Sequence, residues 1–411
     1  MKKTLLLIFI LLLILSLAGC SSSTPRDGSK EYPYLVQGAG DLQNIGNGSW
    51  ESNDHYTLES DVSINGEIDK YFPAGDTNNP FNGVIDGNGH TIYINGNINL
   101  DEESDYGGLL GYIGENGVVK NITIRGGNLF GGKKYTGLIA GVNEGKISNI
   151  RYGNRKKYGD TTGSAKVVGN KNDRATVGTL VGWNKEDGEI TRTMVVVGET
   201  QGYYSKEQEN SGGTGGLVGI NEGLIRECFS AHTVKGEVNV GGLVGLNNDG
   251  IIKDSYTHKP VDVENAETPE NIGLFVGKSM AGEIIRSYTG GGIGDGSDSY
   301  LNASSDDIEF IGTFAGKIED TTIEDCIRIP NKQDYDNVDY EENTYRIIGS
   351  EEETNEEKVS LFPGQEMNNE KIIEKFEEVF GEDKYNEIWT LNTEHQDFPL
   401  LQWELNQLEN E

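Results

Sequence analysis

The chain has 411 residues, with 34 Lys plus Arg against 67 Asp plus Glu, a formal net charge of −33, and 57 glycines, about twice the usual share. So acidic a chain is repelled by phosphate backbones, which argues against nucleic acid as a partner. Three cysteines are too few for a disulfide scaffold, and past the N-terminus there is no apolar run of about 18 residues, which excludes a polytopic helical membrane protein.

The N-terminus reads as an address. Lys2 and Lys3 precede an apolar run from Leu5 to Ile14, and "LSLAGC" ends at Cys20. A short basic region, an apolar core and small residues before a cut are the parts of a secretory signal. The "LAGC" tetrapeptide resembles the bacterial lipobox. The resemblance implies cleavage before Cys20 and a diacylglycerol on its sulfur. The protein would then be exported and lipid-anchored to the cell membrane or the outer membrane, on the extracytoplasmic side. Residues 1–19 form the lipoprotein signal peptide in this reading. Residues 20–30 form the lipidated Cys20 and a polar tether, "SSSTPRDGSK", with nothing to bury.

Residues 31–105 read as an N-terminal capping β region. "YTLESDVSI" and "GVIDGNGHTIYINGNINL" are alternating strands broken at Asp, Asn and Gly turns. The Gly38–Gly46 run predicts a short helix started by Asp41.

A repeat fills residues 106–330. "GGLLGYIGENG" begins at Gly107, "GLIAGVNEG" at Gly137, "GTLVGWNKEDG" at Gly178, "GGLVGINEG" at Gly215, "GGLVGLNNDG" at Gly241, "GLFVGKSMAG" at Gly273 and "GTFAGKIED" at Gly312. The glycines closing each apolar triplet are Gly111, Gly141, Gly182, Gly219, Gly245, Gly277 and Gly316. Their spacing runs from 26 to 41 residues, so a fixed unit carries loops of variable length. A second segment follows each phrase, from "VVKNITI" to "TTIEDCI". Each unit is therefore strand, Asn/Gly turn, strand and loop, with no helical period. Such short strands cannot bury a face alone and must stack on neighbours. The expected fold is all-β: a right-handed parallel β-helix, or solenoid, with an N-terminal β cap and a C-terminal helix-plus-strand cap.

The phrases resemble the GLUG motif, over residues 106–328 and best at Gly215–Gly223 and Gly241–Gly250. That family occurs in secreted surface proteins of bacteria and archaea, including IgA1-protease-type metallopeptidases and large adhesins. "FNGVIDGNGHTIYI" (Phe81–Ile94) resembles the opening coil of pectin-lyase-like β-helices. "WTLNTEHQDFPLLQWE" (Trp389–Glu404) is similar to the terminus that often closes GLUG regions. The resemblance implies adhesion or extracellular recognition.

Stacking turns repeat positions into columns. Asn143, Asn184, Asn221 and Asn247 fall in one turn column and predict an amide ladder along the axis. Ile113, Ser279 and Ile318 interrupt it, so looser coils are expected there. One column of the second segment is small or apolar: Ile122, Ile150, Thr193, Cys228, Ser255, Ser287 and Cys326. It is expected to face inward. Cys228 and Cys326 lie three coils apart, about 14 Å at the parallel-strand spacing. They are therefore expected as free, buried thiols. The next column, Thr123, Arg151, Met194, Phe229, Tyr256, Tyr288 and Ile327, reads as packing against loops, with a sugar platform as the sharper alternative.

Residues 331–359 read as an acidic linker or loop. In residues 360–411, the stretch Glu366–Gly381 is an amphipathic helix with Ile372, Ile373, Phe376, Val379 and Phe380 on one face and Gly381 as its stop. This region is expected to close the far end of the solenoid. Residues 351–411 hold 18 acids and 4 bases, net −14, read as a solvated surface.

No catalytic motif assembles. The five histidines, His55, His90, His232, His258 and His395, contain no H-E-x-x-H and read as surface or turn residues. There is no G-x-S-x-G elbow and no EF-hand order in "DGSDSYLNASSDD". "GGTGGLVG" lacks the Lys-Ser/Thr of a phosphate loop and belongs to the repeat. Glu144, Glu222 and Asp249 are turn acids on nearby coils, and read as solvated. No cofactor, metal site or catalytic residue is inferred. The expected role is a non-enzymatic binding or adhesion scaffold, its loops at 151–176, 198–212 and 288–310 facing an extracellular glycan or protein ligand. The alternatives are a polysaccharide lyase or glycoside hydrolase of the β-helix type, and an accessory subunit of the envelope.

Overall fold

The computed structural model describes residues 26–46, 50–71, 73–101, 103–153, 165–196, 198–203, 212–258, 261–263, 266, 268–290, 301–302, 309–329, 346–349, 359–361, 369–391 and 399–405. The fold is a parallel β-helix. One rung shows the plan: strand a is Val238–Gly241, b is Val244–Asn248, c is Ile251–Lys253, d is Tyr256–Thr257 and e is Val261–Asp262. Each strand pairs in parallel with its counterpart in the next rung.

The paired glycines of the repeat explain the a–b arch. In Gly241-Gly-Leu-Val-Gly245, the first glycine ends strand a and the last lies in strand b. A Cβ on Gly245 would lie 2.6 Å from the backbone N of Thr214 and 2.8 Å from the carbonyl of Asn239, both on earlier a-side backbone. Two backbones touch here without side chains between them. Between the two glycines, Leu180, Leu217, Leu243, Phe275 and Phe314 point into the core and are 0% exposed.

The c–d corner is made by residues in the left-handed region: Asn121, Asn149, Arg192, Glu227, Asp254, Arg286 and Asp325 have φ between 42° and 58°. Such angles are uncommon outside glycine. Here the neighbouring rung holds several of them: the N–H of Arg192, Glu227, Asp254 and Arg286 donates to the next rung's carbonyls at 3.0–3.2 Å. The corner swings the following residue inward. Ile122, Ile150, Thr193, Cys228, Ser255, Ser287 and Cys326 are accordingly all buried, and both cysteines are free thiols.

Three regions differ from expectation. Residues 31–105 are not a separate cap. Strands Tyr34–Val36, His55–Leu58 and Val84–Asp86 pair in parallel with one another and then with Val118–Lys120, so this region forms coils of the same solenoid. A short helix, α1 (Ala39–Asn44), lies between the first two. Asp41 sits inside it and accepts from the N–H of Gln37 at 2.8 Å and of Gly38 at 3.1 Å. Within 331–359, Arg346–Ile348 adds to the a/b sheet and Val359 opens a strand on column d, so the described residues of this stretch belong to the solenoid, and the rest lie outside the described residues.

The C-terminal region does not close the far end. Helices α2 (Asn369–Phe380) and α3 (Glu382–Ile388) and the small antiparallel pair Trp389–Thr390/Leu400–Leu401 lie along the side. Ile372, Phe376, Phe380, Tyr385, Trp389 and Leu401 pack on Met194, Phe229, Tyr256, Tyr288 and Ile327. Gly381, at φ 82°, ends α2 and starts α3, a conformation suited to glycine.

Candidate functional site

The d-face aromatic column is a stack. Phe229 and Tyr256 lie 4.7 Å apart at 6°, and Tyr256 and Tyr288 lie 4.8 Å apart at 5°. That is the strand spacing of a parallel sheet. The column is closed to ligands. Phe229 and Tyr256 are fully buried under the C-terminal segment, Tyr256 Oη donates to Glu404 at 2.9 Å, and Tyr288 Oη donates to the Pro399 carbonyl at 2.6 Å. This column is packing, not a sugar platform.

The turn amides form a chain inside the core. Asn143 Nδ2 donates to Asn184 Oδ1 at 2.8 Å, Asn184 to Asn221 at 2.9 Å, and Asn221 to Asn247 at 2.8 Å. Each also donates to a turn carbonyl of its own rung, from Gly145 to Gly250. All four are 0% exposed. Ser279 does not interrupt the chain as expected. Its hydroxyl accepts from Asn247 Nδ2 at 3.1 Å and from Thr321 at 2.9 Å, because a hydroxyl offers the same acceptor in the same place. Ile113 and Ile318 are buried neighbours in the column.

Two histidines expected at the surface are inside. His258 stacks near Phe229 and Tyr256. His232 Nε2 meets the hydroxyls of Thr179 and Thr200, each at 2.8 Å, and its Nδ1 faces Ser230 at 3.2 Å. Burial pushes the His232 pKa down to about 3, so the ring is neutral. His90 keeps its turn, its N–H donating to the Gly87 carbonyl at 2.8 Å. His395 lies outside the described residues.

Along the outside, charges pair between rungs. Glu199 meets Lys166 at 2.8 Å and Lys235 at 2.9 Å, and Arg286 holds Asp254 at 2.8 and 3.1 Å. Arg192 meets Glu227 at 2.9 Å and Lys146 meets Glu189 at 3.0 Å. The corner column Asn121, Asn149, Arg192, Glu227, Asp254 and Arg286 is the polar position before each inward residue of the second segments, and that is its signal in the sequence.

A surface with chemistry of its own lies outside a and b, where Tyr106, Tyr135, Trp183 and Lys185 are half-buried and Tyr112 and Val142 are buried beneath them. Strand a contributes Tyr106 and Tyr135, in register on adjacent rungs. Strand b contributes the residue after each closing glycine: Tyr112, Val142 and Trp183. Tyr106 lies 5.6 Å from Tyr112 and 6.3 Å from Tyr135, and Tyr135 lies 5.1 Å from Trp183. Lys185 closes the circle, its Nζ 5.3 Å from the Trp183 ring and 5.8 Å from the Tyr112 ring. The turn acids flank this basket. Glu144 pairs with Lys185, while Glu222 accepts from Trp183 Nε1 at 2.9 Å and from Asn248 at 2.8 Å. They are held by neighbours rather than free in solvent, whereas Asp249 is exposed. The signal that marks the basket is the single aromatic after a repeat glycine, twice, together with the tyrosine that opens two repeats.

Cys20, the signal segment and most of the three expected loops (154–164, 204–211, 291–300 and 303–308) lie outside the described residues. Among the described residues no group of three or more His, Cys, Asp or Glu is placed to hold a metal ion, and no helix is long and apolar enough to cross a membrane.

No family model matches the chain, and no solved structure matches it. Halomucin of Haloquadratum walsbyi is 30% identical over 182 residues, which are 42% of this chain and 2% of halomucin. A protein of Evansella cellulosilytica described as a Gly-rich membrane protein is 35% identical over 133 residues, 30% of this chain and 15% of that protein. The chain thus spans a small fraction of each relative it matches.

Proposed function

We propose that this protein is an exported lipoprotein, anchored to the cell envelope through Cys20, whose β-helix is a rigid, non-enzymatic scaffold that binds an extracellular ligand. The GLUG-like repeats and the lipobox-like "LAGC" support this reading. So do the names of the two partial relatives, halomucin and a Gly-rich membrane protein. One observation carries it. The lateral carboxylates Glu144, Glu199 and Glu222 are tied to neighbouring rungs by Lys185, by Lys166 and Lys235, and by Trp183 and Asn248. A rigid solenoid with its acids fixed in ladders is built to present a surface. Glycoside hydrolysis needs one carboxyl that protonates the leaving group and a second that acts as base or nucleophile, and a carboxylate held ionised by an ammonium is a poor proton donor.

Expression in a bacterial host with radiolabelled fatty acid tests the anchor. The wild type should carry label and sediment with membranes, and Cys20→Ser should lose both. Label on the variant, or none on the wild type, overturns the anchor. Incubation with envelope and extracellular polysaccharides should show retention without new reducing ends or unsaturated products. Released products would replace the scaffold with the lyase or hydrolase reading.

A further inference from the structure

We infer that the basket of Tyr106, Tyr112, Tyr135 and Trp183, closed by Lys185, is a binding subsite for an uncharged saccharide. The inference rests on the scaffold reading and names its ligand class. The basket spans rungs two strand spacings apart, about 10 Å, the reach of a disaccharide. Its floor is Val142, 1% exposed, the one small side chain between Tyr112 and Trp183 in the column. The gap left by Val142 is where Lys185 lies between the two rings.

The rim explains the ligand class. A sugar has an apolar CH face and hydroxyls that both donate and accept. Aromatic rings suit the first, and the second needs mixed partners. Glu144 and Glu222 accept, Lys185 donates, and the tyrosine hydroxyls do both. Lys185 Nζ already bonds Tyr112 Oη at 3.1 Å, and the Glu222–Trp183 bond of 2.9 Å fixes the indole. The rings are therefore held in place before a ligand arrives, which reduces the ordering cost of binding.

Charge rejects the neighbouring classes. At the rim Glu144 and Glu222 outnumber Lys185, the Lys134–Asp105 pair of 2.8 Å beside Tyr106 and Tyr135 adds no net charge, and the chain carries −33, so uronic acids and sulfated sugars are repelled. A free organic cation would seek the position between Tyr112 and Trp183. Lys185 occupies it already, and a tethered group competes at high effective concentration.

The test uses the full chain and follows tryptophan fluorescence during titration with uncharged oligosaccharides of glucose, galactose, mannose and N-acetylglucosamine. Polygalacturonate and tetramethylammonium serve as comparisons. At least one uncharged series should change the emission with saturation. Trp183→Ala and Tyr135→Ala should weaken its binding at least about tenfold, measured by calorimetry, while Lys146→Ala, on column c, should not. Trp183→Phe, which keeps a ring, should recover part of the affinity and shows that loss is not misfolding. The assignment is overturned if no uncharged series binds, if Trp183→Ala binds as the wild type does, or if tetramethylammonium or polygalacturonate binds in the basket instead. Retention of whole envelope polymer by Trp183→Ala would sink the basket and leave the scaffold standing.

Discussion

Replacing Asn184 with Ala should cost more than any surface change of similar size. Asn184 accepts from Asn143, and donates to the Gly188 carbonyl at 3.1 Å and to Asn221 Oδ1 at 2.9 Å. The substitution leaves the buried Asn143 amide hydrogen and the buried Asn221 Oδ1 without partners, while the Gly188 carbonyl keeps the Leu224 N–H at 2.9 Å. At about 1 kcal/mol each, the low end for a buried orphan, the loss is about 2 kcal/mol. Urea unfolding followed by far-ultraviolet circular dichroism should show a lower midpoint at unchanged slope. Solenoids can unzip rung by rung, so amide hydrogen exchange at Asn143, Asn221 and Leu217 provides a local measure. The cycle with Asn221→Ala is the sharper test. Once Asn184 is gone, Asn221 has already lost a partner, so the second loss should cost less than it does alone. A cost below about 1 kcal/mol, or strict additivity in the cycle, would show that the ladder is geometry without energy.

Other outcomes follow from the same structure. Gly245→Ala should destabilise by about 3 kcal/mol or more, since its Cβ would lie 2.6 Å from the Thr214 backbone, which cannot yield as a side chain can; thermal melts of the variant check this. His232, neutral in the fold at about 3 and near 6.5 when unfolded, makes the unfolded state the better proton binder below pH 6.5. Its contribution is complete above pH 6.5 and is lost as pH falls toward 3, so a stability–pH curve should lose part of its acid slope in His232→Gln. Burial pushes the Cys228 and Cys326 thiols up to about 12, so Ellman's reagent should leave both unmodified in the native protein and react with both in denaturant. Trp389→Ala should loosen the lateral segment and admit an apolar dye to Tyr256 and Tyr288, whose rings lie 6.0 and 5.5 Å from the indole; unchanged dye fluorescence would refute the covering role.

The sequence by itself determined what recurs from rung to rung. The solenoid, the inward column from Ile122 to Cys326 and the turn column from Asn143 to Asn247 are legible because each rung places the same residue over the last. Ser279 continues the ladder under a different residue name, because the ladder needs only an acceptor at that place. Tertiary structure alone decided three things. Residues 34–100 join the solenoid, since parallel pairing is set by backbone edges that carry no signature in composition. Helices Asn369–Phe380 and Glu382–Ile388 and the pair Trp389–Thr390/Leu400–Leu401 lie along the side because their apolar residues pack on the Phe229–Tyr288 stack. Tyr106, Tyr112, Tyr135, Trp183 and Lys185 meet only when three rungs stack, bringing residues from 106 to 185 onto one patch. Loops of differing length hide that meeting from any fixed spacing in the chain.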